Sequence, residues 1–163
     1  MVPRSKRRLV ELEALYRERW AAFARVAIAI TGSVELGKEA VQEGFARAIE
    51  RREQFRGHCP LEAWVWQIVV NAAKTASARA ARDTPSAEVV PDGPSTNGHR
   101  PSSEVEWWVR ALPERQRLAV FLRYWADLDY RAIAEVLDVE VGTVSATLSA
   151  AHQSLRRSLQ EVQ

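Results

Sequence analysis

The sequence is poor in the features that enzymes and exported proteins depend on. It has one cysteine, Cys59, which excludes an internal disulfide. With only His58 beside it, Cys59 falls short of the three or four ligands of a zinc site. No run of about 18 uncharged apolar residues occurs, so no membrane span is expected. The N-terminus, MVPRSKRRLVELEALY, has basic residues with no continuous apolar stretch behind them, which argues against a signal peptide. No Ser/His/Asp set, paired carboxylate cluster, phosphate-binding glycine loop or metal spacing appears. These absences point to a reduced, soluble, cytoplasmic protein that is not an enzyme and needs no metal or cofactor.

Glycine and proline are also sparse, at 7 each among 163 residues, which excludes disorder throughout. The hydrophobic content of 47% suffices for the core of one domain or two small ones. Net charge is +2, unevenly spread. Residues 1–82 carry fifteen Lys and Arg against nine acids, whereas 83–103 and 104–163 each carry two more acids than bases. Only the first part has the charge sign of a phosphate-binding surface.

The apolar spacing is helical. Leu9, Leu12, Tyr16, Trp20, Phe23, Ala27 and Ile30 recur at steps of three and four, predicting a helix from about Ser5 to Ile30. Gly32 suits a left-handed cap and Ser33 the N-cap of a second helix running to about Arg52. In that helix Val41, Phe45, Ala48 and Ile49 share one face, opposite Glu39, Gln42, Glu43 and Arg47. Pro60 is placed to open a third helix reaching about Arg82. Trp64, Ile68 and Ala72 form an apolar side there, with Val65 and Val69 adjacent. Trp66, Gln67, Asn71 and Lys74 are left for a second, partly polar side. The preceding loop, Phe55-Arg56-Gly57-His58-Cys59, has in Gly57 a residue suited to a sharp reversal. A loop aromatic followed by a helix bearing Trp, Asn and Lys offers ring faces and amide edges to unstacked bases. Burial of both tryptophans in a core is the plainer alternative.

Residues 83–103, DTPSAEVVPDGPSTNGHRPSS, hold four prolines and few apolar residues, and read as a flexible linker. After it, Glu104–Val109 form an amphipathic turn or two. Pro113 opens a helix with Leu118, Phe121, Leu122 and Trp125 inward. Asp129 can cap a short helix to Leu137, and a last helix begins near Gly142. Two helices joined by about four residues make a helix-turn-helix pattern. The expected fold is all-α, with two small helical domains, 1–82 and 104–163, joined by the linker.

Several of these strings resemble one family. EAVQEGF is similar to the DLVQExF motif of extracytoplasmic-function (ECF) sigma factors, small members of the sigma-70 family. The order FRG, spacer, Trp, aliphatic run, VVNAAK resembles their promoter-opening segment, and LPERQRLAVFLRYWADLDYRAIAEVLDVEVGTV their minus-thirty-five-binding helix-turn-helix. The resemblance implies a helical-bundle region 2 and a region 4 domain. It implies RNA polymerase core, through its β and β′ subunits, and promoter DNA as partners, with an anti-sigma factor as a further one. Glu39, Gln42, Glu43 and Arg47 would contact the polymerase core. Phe55 and Asn71 match the base-contacting residues of the minus-ten segment, with Arg56, His58, Trp66, Lys74 and Arg79 around them. Thr143, Ser145, Thr147, Ser149, His152, Arg156 and Arg157 would face the minus-thirty-five element. Relatives have Lys and Arg where this last helix reads SATLSAAHQSLRR, so strong DNA binding by it is not implied. The competing readings are a helix-turn-helix regulator and a sigma-like interaction module with weakened DNA contact.

Overall fold

The N-terminal apolar pattern folds into α1 (Arg4–Thr31), which buries Leu12, Phe23, Val26 and Ala27. It ends where Thr31 turns its hydroxyl back to Ala27 O (3.0 Å) and Gly32 takes φ 71°. Ser33 then caps α2 (Val34–Glu50), its side chain accepting from the Leu36 amide. After the loop, with Gly57 at φ 79°, comes α3 (Leu61–Asp83), whose first hydrogen bond runs from the Trp64 amide to Pro60 O. The computed structural model describes residues 4–83 and 104–161. Among them are seven helices and no strand. The expected linker, apart from Asp83, which ends α3, lies outside the described residues.

α1, α2 and α3 pack on one another around rings. Phe23 stacks on Trp66 with centroids 3.9 Å apart, and Phe45 meets Phe23 and Tyr16 edge to face. Two glycines one heptad apart let α2 sit between its neighbours. A Cβ on Gly37 would lie 2.7 Å from Ile28 Cα, and one on Gly44 would lie 2.6 Å from Val69 Cγ2.

The C-terminal unit comprises α4 (Glu104–Ala111), α5 (Glu114–Tyr124), α6 (Tyr130–Leu137) and α7 (Val141–Glu161). Asp129 caps α6, accepting from the Ala132 amide at 2.8 Å. Asp138 ends it in the left-handed region, φ 53°. Asp138 thus fills the place where glycine is commonest, a conformation Asp tolerates better than most residues. Phe121 and Leu122 of α5, Ile133 of α6, and Val144, Leu148 and Ala151 of α7 are buried together.

The two units are not separate bodies. α6 packs on α3 as well as on α5 and α7, and the buried residues of both units form one continuous cluster. That second contact explains why eight-residue α6 buries Ala132, Ile133, Ala134 and Val136, more than one face. Arg19 of α1 donates from Nε to Glu62 Oε1 (3.0 Å) and, from its second guanidinium nitrogen, to Ala126 O in the turn before α6. Lys74 of α3 pairs with Glu114 of α5 at 3.3 Å.

Candidate nucleic-acid and polymerase interfaces

The helical repeat of α2 places Glu39, Gln42 and Glu43 on its outer side, all exposed, with Arg47 half-exposed beside them. Arg47 is hydrogen-bonded to Glu43 one turn back, so this face presents an internally paired charge set plus two free acceptors, Glu39 and Gln42. Glu35, in the first turn, has its carboxyl held below the usual range by its own backbone amide and by the Ser33 hydroxyl. Ile49, expected inward, is 38% exposed at the edge of this face.

In the loop before α3, Phe55 is fixed from two sides. Its ring packs on Trp64 with centroids 5.1 Å apart, and the Arg8 guanidinium lies 4.5 Å from its centroid. Arg8 also donates to Phe55 O (3.0 Å) and Arg52 O (3.2 Å), tying the start of α1 to this loop. Arg56 and His58 are exposed at the loop's tip. Asn71 follows Trp64 by seven residues, so it lies on the same side of α3 about 10 Å further along. It is exposed, as are Lys74, Thr75, Arg79 and Arg82 beyond it. The structure thus brings a half-buried ring, an amide and a row of cations along one side of one helix. That is a surface able to stack a base, read a base edge and hold phosphates.

Trp66 is a correction. It is fully buried, stacked on Phe23, with its indole N–H donated to Glu62 Oε1 at 3.3 Å, so it has no face left for DNA. The two tryptophans exchange the places their periodicity suggests: Trp66 fills the core, and Trp64 backs Phe55. The reason is that α3 is covered on about half its circumference by α1, α2 and α6 together, so its buried arc takes in Trp66. Arg8 and Trp64, which fix Phe55, carried no local sequence signal for that role, because Arg8 lies 47 residues from its acceptor.

In the C-terminal unit, α7 shows Thr143, Ser145, Ser149, His152, Arg156 and Arg157 exposed, with Thr147 half-buried. His152 Nε2 is hydrogen-bonded to the Tyr124 hydroxyl at the end of α5 (2.8 Å), a partner that spacing within α7 could not indicate. No cation stands on α7 before Arg156. No helix among the described residues is long and apolar enough to cross a membrane.

A family model for sigma-70 region 2 matches residues 15–83, and one for sigma-70 region 4 matches residues 109–155. The ECF RNA polymerase sigma-E factor of Haemophilus influenzae is 30% identical over 139 residues, 75% of this chain and 74% of that protein. The sigma-E factor of Escherichia coli K12 is 28% identical over 139 residues, 75% and 73% of the two chains. Two solved structures share the fold. One is the sigma factor RpoE in complex with the anti-sigma factor NepR from Bartonella quintana. Its TM-score is 0.68 at 20% identity, over 91% of this chain and 98% of that one. The other is CnrH in complex with the cytosolic domain of CnrY, with a TM-score of 0.67 at 20% identity over 92% and 88%. The protein belongs to the extracytoplasmic-function sigma factors of the sigma-70 family, with a role in transcription initiation.

Proposed function

We propose that the protein binds the core of RNA polymerase through the outer face of α2 and melts promoter DNA on α3. Glu39, Gln42, Glu43 and Arg47 meet the β and β′ subunits. Phe55 and Asn71 hold an unpaired minus-ten strand, aided by Arg56, His58, Lys74 and Arg79. The observation that carries the reading is the side of α3 on which Phe55, backed by Trp64 and Arg8, stands in line with Asn71 and the cations. Work of this kind places the protein in the cytoplasm, and the solved relatives with bound anti-sigma factors support an anti-sigma partner here as well.

A second reading, a sigma-like interaction module, draws support from the uncharged stretch of α7 between Thr143 and Arg156. One experiment separates the two. The full chain is mixed with core polymerase, and transcription is read on a random promoter library. The expected result is initiation from a defined promoter set. It is lost with Glu39→Arg/Gln42→Ala, which no longer copurifies with core, and reduced with Asn71→Ala, which still does. Copurification without any promoter-dependent initiation would leave the interaction module standing instead.

A further inference from the structure

The end of α3 borders an open cleft of about 440 Å³ lined by Lys74, Thr75, Ala78, Arg79 and Arg82. Three cations and a hydroxyl along two helical turns, with an alanine floor, suit the phosphates of a nucleic-acid strand. Among the described residues of the C-terminal unit, Glu114 is the acid paired into this row. Its carboxylate lies 3.3 Å from Lys74 Nζ, and it shares with Lys74 the wall of a neighbouring cavity of about 260 Å³ between α3 and α5.

From this geometry we infer that Glu114 is an internal stand-in for a phosphate. It takes up Lys74 at the edge of a backbone cradle formed by Lys74, Thr75, Arg79 and Arg82, so that docking of the C-terminal unit and binding of nucleic acid compete. The inference rests on the reading of α3 as the DNA-facing helix, and extends it to Thr75, Arg82 and the opposing Glu114. Neither Phe55 nor Asn71 takes part in the Lys74–Glu114 pair or the Arg19–Ala126 hydrogen bond, so the competition falls on phosphate binding and leaves base reading alone. A second tie, from Arg19 to Ala126 O, joins the units near the other end of α3. Arg19 also pairs with Glu62 near the start of α3, away from the cradle, so loosening this tie leaves the cradle residues themselves in place.

The test uses the full chain and a fluorescent 30-base-pair duplex of random sequence, titrated at low salt. Docking is followed by energy transfer between labels on Glu53→Cys and Gln153→Cys in a Cys59→Ser background. Glu114→Gln is expected to tighten duplex binding about two- to five-fold, the range that releasing one exposed ion pair allows. That gain should vanish in a Lys74→Gln background, and Arg19→Gln should give lower transfer and tighter binding with the cradle intact. Transfer in the otherwise unmutated chain should fall as duplex is added. Unchanged affinity in Glu114→Gln, the same gain without Lys74, or transfer indifferent to duplex would each overturn the inference. Absence of duplex binding by every variant would overturn it too. Promoter-dependent transcription by the wild type with core polymerase would still uphold the sigma-factor reading in that case.

Discussion

The guanidinium of Arg8 lies 4.5 Å from the centre of the Phe55 ring and hydrogen-bonds the Phe55 carbonyl at 3.0 Å. A residue near the chain's beginning therefore fixes the backbone and one ring face of the residue assigned to base stacking. On the proposed role, Phe55→Ala should remove a stacking contact worth about 1–3 kcal/mol per base, a loss of roughly five-fold to a hundred-fold in open promoter. Arg8→Gln leaves the ring in place and only frees it, and a cation–π contact at a partly exposed site is worth about 0.5–1 kcal/mol. The expected result is a two- to five-fold loss of permanganate reactivity in the melted region, with closed-duplex binding little changed. Arg8→Lys should not restore it fully, because one terminal guanidinium nitrogen donates to both Phe55 O and Arg52 O while the planar group also covers the ring, and a compact ammonium cannot do both at once. An Arg8→Gln footprint equal to wild type would assign Arg8 to fold stability alone.

Local chemistry made much of this readable from sequence. The caps at Gly32, Ser33 and Asp129 and the turn at Gly57 each depend on one residue's own stereochemistry, and each is where the residues place it. The outer face of α2 follows from helical periodicity. What periodicity misses is a helix covered on two sides. A single apolar stripe on α3 assigns Trp66 outward, because the pattern is silent on α1 and α6 arriving from other directions. The same limit hides the docking of the units, in which α6 packs on α3 and Arg19, Lys74 and Glu114, charged residues that look like ordinary surface in a one-dimensional reading, add polar ties.

Within the EAVQEGF string, Gly44 is a packing requirement. A Cβ there would lie 2.6 Å from Val69 Cγ2 and 3.0 Å from Val69 Cα, which is backbone of α3 and cannot rotate away. Alanine in place of glycine gains up to about 1 kcal/mol of helix propensity. Overpacking a rigid contact costs about 1–3 kcal/mol and is the larger effect. Gly44→Ala should therefore lower the melting temperature, whereas Gly142→Ala in α7 should hold or raise it, since nothing lies within 4 Å of that position. Thermal denaturation of the two variants decides the matter, and a Gly44→Ala protein as stable as wild type would mean that α2 shifts at no cost.

For the proposed DNA contact through α7, the scarcity of charge on that helix limits the salt dependence. Each phosphate neutralised contributes about 0.9 to the slope of log affinity against log salt. With Arg156 and Arg157 as the cations on α7, the slope from this helix should not exceed about 2. In the full chain, replacing both with Gln should reduce the measured slope for a minus-thirty-five duplex by up to that amount. Hydroxyl replacements such as Ser149→Ala should change affinity while leaving the slope alone. A fall in slope well beyond 2 on removing the two arginines would show that they organise further cations rather than act singly.

Cys59, in the loop before α3, is half-buried and lies within electrostatic reach of Glu135 on α6, so its reactivity should follow the docking of the two units. Burial comes first and the Glu135 carboxylate of α6 second in raising its thiol above the ordinary value. Both causes favour the neutral thiol, so the folded chain holds this proton more tightly than the unfolded one does. The stabilising contribution is fully present below the unfolded value, about 8.5, and is lost as pH rises through the folded one. Alkylation by iodoacetamide near pH 8 should then be slower than for a free thiol, because the thiolate is the nucleophile. Glu135→Gln should speed it modestly by removing the smaller cause. Arg19→Gln, which releases the tie to Ala126, should speed it more by exposing the sulfur. Equal rates in wild type and Arg19→Gln would mean that Cys59 is shielded by its own loop, and that α6 has no part in covering it.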